Sequence, residues 1–378
     1  MPDVIYLDAA ASTPPFAEVV QQYVSVGSVV YANPASGHGL GKAAHLMLEQ
    51  ARAEVLELLG AERYRLVFTS GATEGNNWIL QCVPAGPGAR VVISAVEHAS
   101  VRRAAQAAAG RFGWSLEILP VGKDGTLDPA VLDDLVARPP DVLSIMAVNN
   151  ETGIIHPVSE IGRRLREAGA KTFFHVDAVH AVARGFWPTS LDGISALSLS
   201  AHKFHGLKGG GMLLVDRGAS LSPLLYGGEQ EDGLRSGTVH VASAVASATA
   251  LRLCLERRDE AFFDLGRRLR DGIAARLPQV TVVGEGAPGV PWICMVAVPG
   301  MRGDALVRMM DAAGIEISSG SACASGKQGL SATLAAMMAD FRKGYIRFSY
   351  HLMTSPAEID DAVGRFADII ERYSLSSR

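Results

Sequence analysis

Between residues 65 and 216, short apolar runs alternate with stretches of helical spacing, and this rhythm limits the folds open to the chain. In the stretch 158–170, Ile161, Leu165 and Ala168 recur at helical spacing on a charged background. Strands separated by such helices pair in parallel, and the helices cover the sheet. The rhythm therefore predicts an α/β fold with a mostly parallel sheet. The runs predicted as strands are residues 65–69, 90–95, 142–148, 172–176, 196–199 and 211–215.

The chain beyond residue 240 has a different pattern. An alanine-rich helical stretch, 242–255, is predicted to continue through 262–277 and to link two domains. The remainder is typical of a smaller α/β domain. Its predicted strands lie near 293–298 and 345–349, and its predicted helices at 304–313 and 357–373.

The composition suits a globular enzyme. The 378 residues are 48% hydrophobic and 20% charged, which allows a large core, and the length favours two domains. A formal net charge of -4 without Lys/Arg blocks argues against nucleic acid or an anionic membrane as the main partner. No apolar run approaches the roughly 20 residues that a membrane span needs, so we predict no membrane partner.

Cysteine usage indicates a reducing compartment. The four cysteines lack CxxC spacing, and the first residues lack the basic and apolar segments of a secretory signal, so we expect a cytoplasmic location. Cys82 and Cys254 fall in helix-like stretches and Cys294 in an apolar run, where burial makes a thiol inert. Cys323 lies in 318–326, a run of small polar residues that cannot pack a core, so its thiol is the better nucleophile.

A lysine follows the apolar run 194–199. The segment 200–203 reads Ser-Ala-His-Lys and precedes the glycine cluster 209–211. A lysine at the end of a buried strand can lose its proton through desolvation and act as an amine nucleophile. The natural partner of Lys203 is an aldehyde cofactor, pyridoxal 5'-phosphate. Taken alone, the segment also fits a strand that ends in an ordinary surface lysine.

Polar residues follow other predicted strands too, at the edge where open α/β sheets bind ligands. The turn 70–76 offers hydroxyls and free backbone N–H groups at the start of a helix. It fits either a phosphate cradle or a helix N-cap without a ligand. Asp177 fits either a partner for a pyridinium nitrogen or a cap of the next helix. The nearby histidines lack a carboxylate or thiol to complete a ligand set, so we predict no metal.

These segments, in this order, resemble the NifS/IscS-like cysteine desulfurases, which are class V, fold-type I pyridoxal phosphate enzymes. The resemblance covers nearly the whole chain, and the ordered combination is far more specific than any single segment. It implies a large domain at 16–255 and a small domain made of 1–15 and 256–378. The matching stretches are 6–8, 33–38, 69–74, 97–98, 149–153, 176–178, 200–203, 234–238, 318–323 and 347–349.

The resemblance implies how the cofactor would be held. Lys203 would bind it as a Schiff base, Asp177 would pair with its pyridine nitrogen, and His98 would stack on its ring and take part in catalysis. Asn150 and His180 would lie near the ring oxygen. The phosphate would be held by Ala72, Thr73, Ser200 and His202, joined by Thr238 of the partner subunit in a homodimer.

The resemblance also implies the reaction, in which L-cysteine becomes L-alanine. Arg347, with Asn33 and Asn150, would hold the substrate, and the bidentate guanidinium suits its carboxylate. Cys323 would take the sulfur as a persulfide and pass it to an acceptor protein of iron-sulfur cluster assembly or thiolation. A cysteine, cystine or selenocysteine lyase on the same scaffold is the alternative. An aminotransferase or a non-catalytic protein of the same fold fits the lysine, aspartate and loop cysteine less well.

Two positions depart from the family pattern. His180 stands where the family usually has glutamine, and an imidazole donates a hydrogen bond to the ring oxygen only when the facing nitrogen is protonated. We therefore expect a changed pH profile, because histidine titrates near neutrality. His351 stands two positions after Ser349, where the family usually has glycine, and it would alter the geometry beside the carboxylate clamp.

Overall fold

The computed structural model describes residues 4–182, 187–319 and 330–376. The predicted nucleophile Cys323 lies outside the described residues. The strands in chain order are β1 (Ile5–Tyr6), β2 (Tyr64–Thr69), β3 (Arg90–Ser94), β4 (Ser115–Leu119), β5 (Val142–Ser144), β6 (Phe173–Asp177), β7 (Ala196–Ser200), β8 (Gly211–Asp216), β9 (Thr281–Val282), β10 (Ile293–Pro299), β11 (Ile315–Glu316) and β12 (Lys343–Ser349).

Helices separate most of these strands, and a 3₁₀ turn, Ala201–Lys203, follows β7. The helices are α1 (Ala17–Val29), α2 (Gly39–Leu58), α3 (Ala72–Cys82), α4 (Ala99–Phe112), α5 (Pro129–Ala137), α6 (Val158–Glu167), α7 (Val179–Val182), α8 (Val241–Glu256), α9 (Glu260–Arg276), α10 (Gly303–Ala312), α11 (Ala332–Ala336) and α12 (Pro356–Ser376). Within the described part of the chain, no helix is long and apolar enough to cross a membrane.

The seven-stranded sheet has the order β2-β8-β7-β6-β5-β3-β4. β8 runs antiparallel to both of its neighbours, and the other pairs are parallel. The mostly parallel seven-stranded sheet expected for the fold is confirmed. Because β6 and β7 are parallel neighbours, Asp177 and Ser200, at their carboxyl ends, lie on the same edge of the sheet.

Several strands differ from the sequence prediction, because β1, β4, β9 and β11 were not predicted and β5 is shorter than expected. β4 lies at the sheet edge, is exposed or half-buried except at Leu119, and lacks the apolar run by which the buried strands were identified. β5 ends at Ser144 instead of continuing to residue 148. The backbone beyond it still follows β6, because the N–H groups of Ile145 and Ala147 donate to the carbonyl oxygens of His175 and Asp177, at 3.2 and 2.9 Å.

Glycines let α3 lie close to the sheet. A Cβ atom added at Gly211 would lie 2.3 Å from the Cα atom of Gly71, so the turn before α3 contacts the start of β8 directly. Gly71 itself has a φ of 152°, which favours glycine. One turn into α3, a Cβ atom on Gly75 would lie 2.8 Å from the Ser198 hydroxyl oxygen. The close packing fixes the N-terminus of α3 above the carboxyl ends of the strands.

The C-terminal strands form an antiparallel sheet of order β12-β10-β9. The N-terminal segment joins this region, because β1 pairs in parallel with β11 and Asp8 bridges to Ser349 at the end of β12. The domain boundaries after residues 15 and 255 stay a prediction. The expectation of one helical stretch from 242 to 277 is wrong: α8 ends at Glu256, and the Asp259 carboxylate caps α9 by accepting from the Phe262 N–H at 2.8 Å.

Candidate active site

The carboxyl ends of the parallel strands open into a cavity of about 430 Å³. Loops after β2, β3, β6 and β7 form its walls together with the N-terminal segment and β12. Its size falls within the range of small-molecule and cofactor sites. The structure brings most of the predicted site residues together here: Ala72, Thr73, His98, Asn150, Asp177, His180, Ser200, His202, Lys203 and Arg347.

The Lys203 amine is held in the 3₁₀ turn that follows β7. Its Nζ atom donates to the carbonyl oxygens of Ala10 and Ala11, at 2.6 and 2.8 Å. These carbonyls belong to the N-terminal segment, which therefore forms one wall of the cavity and aims the amine. These two hydrogen bonds place the Lys203 Nζ atom among the other groups of the cavity.

The N-terminus of α3 meets Ser200. The Ser200 hydroxyl oxygen accepts a hydrogen bond from the Ala72 backbone N–H at 3.0 Å, and Thr73 follows at the cavity wall. Unpaired N–H groups and the helix dipole make such a terminus favourable for an anion. The N-cap of α3 is Gly71, which makes no side-chain capping bond, so Ser200 of β7 supplies the side-chain acceptor and the phosphate cradle stays a prediction.

His202 adds a neutral imidazole beside this helix terminus. Burial, with the charges of Lys203 and Lys208 acting in the same direction, lowers its pKa to about 4. At neutral pH it therefore acts through hydrogen bonding, and its Nδ1 atom lies 3.2 Å from the Ser12 hydroxyl oxygen. In the ranges that the structure describes, no acidic side chain is among the causes that shift the His202 pKa. A bound phosphate would place a negative charge next to the imidazole.

Asp177 ends β6 and is buried, with 5% of its surface exposed. Its Oδ1 atom accepts from the Val179 N–H at 3.1 Å and its Oδ2 atom from the Asn76 amide nitrogen at 2.9 Å. The capping interpretation is therefore confirmed, and the same carboxylate also lines the cavity. His180 follows on α7 and is buried at the cavity wall.

His98 caps the N-terminus of α4. Its Nδ1 atom accepts from the Ser100 backbone N–H at 3.2 Å and lies 2.7 Å from the Ser100 hydroxyl oxygen. A nitrogen that accepts a backbone N–H carries no hydrogen of its own, so in the neutral ring the hydrogen is on Nε2. The cap thus orients the imidazole and selects its tautomer.

Glu97 is a cavity residue that the sequence analysis did not assign to the site. It is 3% exposed, and its Oε1 atom accepts from the Met146 N–H at 2.8 Å and from the Ser94 hydroxyl. Burial raises its pKa to about 8, with the Asp177 carboxylate acting in the same direction, so the side chain is largely a neutral acid at pH 7. The sequence did offer one indication of this role, because Glu97 is a charged residue two positions after the apolar run 90–95 and so falls at the edge of the sheet.

Arg347 lies on β12 and is 3% exposed. Its Nη2 atom is paired with the Asp8 carboxylate at 2.6 Å, and its Nη1 atom donates to the Asn150 carbonyl oxygen at 2.8 Å. Asn150 therefore contacts the guanidinium through its backbone carbonyl oxygen and not through its side-chain amide, and together with Asp8 it fixes the orientation of Arg347. His351 packs beside this region, with its ring centroid 6.0 Å from that of Tyr6.

Two predicted residues are not among those that line the cavity. Asn33 is exposed, and its Oδ1 atom accepts from the Ala35 N–H at 2.9 Å. Thr238 is also exposed and is absent from the cavity wall. Exposure of Thr238 in a single chain is what we expect of a residue that binds the phosphate in the site of the partner subunit.

The other cysteines lie where the sequence predicted. Cys82 ends α3, Cys254 lies in α8 and Cys294 in β10. Burial raises the pKa of Cys82 and Cys294, which disfavours the reactive thiolate. Among the described residues, no group of three or more His, Cys, Asp or Glu side chains could hold a metal ion.

The donor set of the cavity fits a phosphorylated aldehyde. A primary amine, a helix N-terminus with a hydroxyl, and a buried carboxylate would respectively bind a carbonyl carbon, a phosphate and a protonated ring nitrogen. The buried guanidinium of Arg347 would bind a carboxylate. No single group is specific, but the four functions share one cavity.

Comparison with known proteins agrees with this chemistry. The Aminotransferase class-V family pattern matches residues 5–361. A cysteine desulfurase of Cereibacter sphaeroides is 38% identical over 380 residues, covering 99% of this chain and 97% of that protein. Among solved structures, a NifS-like protein superposes with a TM-score of 0.88 at 30% identity, covering 98% of this chain and all of that one. A structure of SspA in complex with cysteine gives 0.75 at 26% identity, covering 91% of this chain and 98% of that chain.

The family match spans nearly all of the described fold, including the strands that carry Lys203, Asp177 and Arg347. Fold-type I pyridoxal phosphate enzymes have this architecture, with a mostly parallel seven-stranded sheet and the site at its carboxyl edge. The chain is therefore a member of the class V aminotransferase family and groups with its cysteine desulfurases.

Proposed function

We propose that this protein is a cysteine desulfurase that converts L-cysteine to L-alanine and passes the sulfur to an acceptor protein. The observation that carries the proposal is the shared cavity of Lys203, Asp177 and Arg347 in a chain 38% identical to a cysteine desulfurase. Amine, carboxylate and guanidinium are the groups that amino acid chemistry on pyridoxal phosphate requires.

Pyridoxal 5'-phosphate would be held by residues from several elements. Lys203 would bind its aldehyde carbon and Asp177 its ring nitrogen, with His98 against the ring and His180 and Asn150 near the ring oxygen. When bound, the group supplies an electron sink that acidifies the α proton of an amino acid. Its phosphate would be held by Ala72, Thr73, Ser200 and His202, and by Thr238 of the partner subunit.

Arg347, which lines the same cavity as the helix terminus of α3, would hold the substrate carboxylate. Its orientation is fixed before substrate arrives, because Asp8 and the Asn150 carbonyl oxygen already bind two of its nitrogens. Preorganised contacts of this kind lower the entropy cost of placing the substrate. Asn33 was also predicted to bind the substrate. It is exposed and does not line the cavity in this chain, so the segment around it would have to move for Asn33 to reach the substrate.

Lys203 would move the α proton. When the substrate amine takes its place on the cofactor, the Lys203 Nζ atom would be free to accept the proton from the α carbon. The Ala10 and Ala11 carbonyl oxygens, which it contacts in the structure, would keep it in the cavity. Glu97, a neutral acid in the same cavity, adds no second negative charge beside Asp177 at pH 7. The cavity therefore tolerates an ionised Asp177 while proton transfer proceeds.

The Cys323 thiolate would then attack the substrate sulfur. The carbon–sulfur bond of L-cysteine breaks, a sulfur–sulfur bond forms on Cys323, and the carbon regains a proton to give L-alanine. The balance is L-cysteine plus thiol giving L-alanine plus persulfide. An acceptor protein of iron-sulfur cluster assembly or thiolation would remove the outer sulfur.

A homodimer would complete the site. Thr238 is exposed, and the segment before it is tied to α3 by the Arg235–Glu74 ion pair, with the Arg235 Nε atom 2.6 Å from the Glu74 Oε1 atom. The predicted phosphate cradle lies at the start of the same helix, α3. This helix would therefore link the phosphate site of its own subunit to the segment that carries Thr238 to the partner's site. A cytoplasmic location stays a prediction, favoured by the reduced state that persulfide chemistry needs.

The test measures L-alanine and pyruvate from L-cysteine with a thiol reductant, comparing the wild-type protein, Cys323→Ser and the control Cys82→Ser at equal cofactor loading. We expect Cys323→Ser to lose alanine formation and Cys82→Ser to keep it. Pyruvate from all three proteins, without alanine, would mean β-elimination and make the protein a lyase.

A further inference from the structure

A chain of side-chain hydrogen bonds joins Asp177 to His98. The Asn76 amide nitrogen donates to Asp177 Oδ2 at 2.9 Å and to the Ser100 hydroxyl oxygen at 2.9 Å. The Ser100 hydroxyl oxygen lies 2.7 Å from His98 Nδ1. Asn76 is fully buried on α3, between the end of β6 and the start of α4. The chain thus connects a strand end and two helices beneath the cavity.

The direction of each hydrogen bond in the chain follows from its chemistry. The amide nitrogen of Asn76 has two hydrogens, and both are used, one toward Asp177 and one toward Ser100. The opposite amide orientation would place the Asn76 oxygen against the Asp177 carboxylate, which is repulsive. Because the Ser100 oxygen accepts from Asn76, its own hydrogen points to His98 Nδ1. His98 therefore keeps its hydrogen on Nε2.

We propose that Asn76 is a positioning residue that orients Asp177 toward the cofactor ring and, through the Ser100 hydroxyl, reinforces the Nε2–H form of His98 that the Ser100 backbone N–H also favours. The proposal rests on the proposed function, in which these two side chains contact the cofactor. Asn76 lines the cavity, and its amide nitrogen acts through Asp177 at one end of the chain and Ser100 at the other. Since an amide does not titrate, it gives the same hydrogen-bond direction at every working pH.

A neighbouring amide on the same helix supplies the control. Asn77 is one position on, is more exposed, and its amide nitrogen donates to the Thr73 carbonyl oxygen at 2.9 Å, within α3. Asn77→Leu removes the same chemical group from the same helix without touching Asp177 or Ser100. Asn76→Leu keeps the branching of the side chain at Cγ and removes both donors.

The first readout is the visible absorbance of the lysine-bound cofactor, titrated with pH in the purified holoenzyme. Asp177 keeps the ring nitrogen protonated, and that proton lowers the pH at which the lysine-bound nitrogen gives up its own. Misplacing Asp177 therefore raises the absorbance midpoint. We expect Asn76→Leu to raise it by about 1 pH unit, as loss of a nearby charge does, and Asn77→Leu to leave it unchanged.

A midpoint in Asn76→Leu equal to that of the wild type, or an equal shift in Asn77→Leu, would overturn the proposal. A wild-type protein that binds no cofactor and makes no alanine would instead overturn the proposed function. The two failures are therefore distinguishable in one set of samples.

Ser100 provides a second test that does not depend on the folding of Asn76→Leu. We expect Ser100→Ala to lower kcat for alanine formation by about tenfold, the size of one lost hydrogen bond, with little change in KM. Ser100→Thr keeps the hydroxyl and is expected to restore kcat to within about twofold. Wild-type kcat in Ser100→Ala, or equal losses in the alanine and threonine variants, would contradict the chain to His98.

Discussion

Arg347, at the cavity wall, forms an ion pair with Asp8, with the Arg347 Nη2 atom 2.6 Å from the Asp8 Oδ1 atom. The two residues are 339 positions apart in sequence and meet because the N-terminal segment runs beside β12. The guanidinium is almost fully buried, and Asp8 is its carboxylate partner within the described residues. Asp8 therefore both orients Arg347 and competes with the substrate carboxylate for its charge.

Replacing Asp8 separates these two effects. Asp8→Asn keeps an oxygen that accepts from Arg347 and removes the competing charge, so we expect KM for L-cysteine to fall by about fivefold, or about 1 kcal/mol of recovered attraction. Asp8→Ala also removes the acceptor, frees the guanidinium to rotate, and is expected to raise KM. Steady-state kinetics of both variants check this. If KM rises equally in both, orientation alone explains the ion pair.

Glu97 makes stability depend on pH in the direction opposite to most carboxyl groups. Its pKa is about 8 in the folded protein, against an ordinary value of 4.5, so the folded state binds a proton that the unfolded state has lost between these values. The contribution of the Glu97 proton to the free energy of unfolding is fully present below pH 4.5 and is lost as pH rises through about 8. Between pH 6 and 8 the free energy of unfolding should fall by about 2 kcal/mol more in the wild type than in Glu97→Gln.

Urea unfolding of the cofactor-free protein at pH 6, 7 and 8 measures this difference. Glu57→Gln, an exposed position on α2, is the matched control and should parallel the wild type. Parallel curves for the wild type and Glu97→Gln would mean that Glu97 is ionised in the folded state.

The sequence predicted most of the sheet because its buried strands are continuous apolar runs. It could not give the direction of β8, since an apolar run has the same pattern in either orientation. It missed β4 because that edge strand is half exposed. The break between α8 and α9 was signalled by Asp259, a capping residue inside an otherwise helical pattern.

Within the site, Lys203 and Asp177 were predictable because they directly follow apolar runs and so fall at the sheet edge. Asn76 and Glu97 were not, because their roles depend on which neighbouring element they face. Asn76 belongs to a turn interpreted as a phosphate cradle, and only the packing of α3 on the sheet brings its amide to Asp177. The ion pair of Asp8 with Arg347 was not predictable, because it depends on the bridge between Asp8, just after β1, and Ser349 at the end of β12.

His202 should make the cofactor-free protein less stable in acid. Its pKa is about 4 in the folded chain, against an ordinary 6.5, so between these values the unfolded state binds a proton that the folded state does not. Stability is fully present above pH 6.5 and lost as pH falls toward 4. His202→Gln should reduce this loss by about 1 kcal/mol per pH unit, with exposed His45→Gln as control.

Unfolding curves of the cofactor-free protein at pH 6.5, 5.5 and 5 give the slope. His156 and His175, whose pKa values burial lowers to about 4 and 3, add to the same trend, so the slope should decrease without vanishing. An unchanged slope in His202→Gln would show that the His202 imidazole is protonated in the folded, cofactor-free chain over this pH range.

His180 is expected to make the reaction more sensitive to pH than an amide in its place. It is 6% exposed at the cavity wall, three positions after Asp177, and shares the cavity with Lys203. A glutamine amide offers an N–H at every pH, whereas an imidazole exchanges donor and acceptor roles as it titrates. We therefore expect kcat/KM between pH 6 and 8 to vary less in His180→Gln, with the profiles diverging by up to about tenfold per pH unit. Superimposable profiles, with His45→Gln matching both, would show that the His180 imidazole does not change its hydrogen-bonding role over this range.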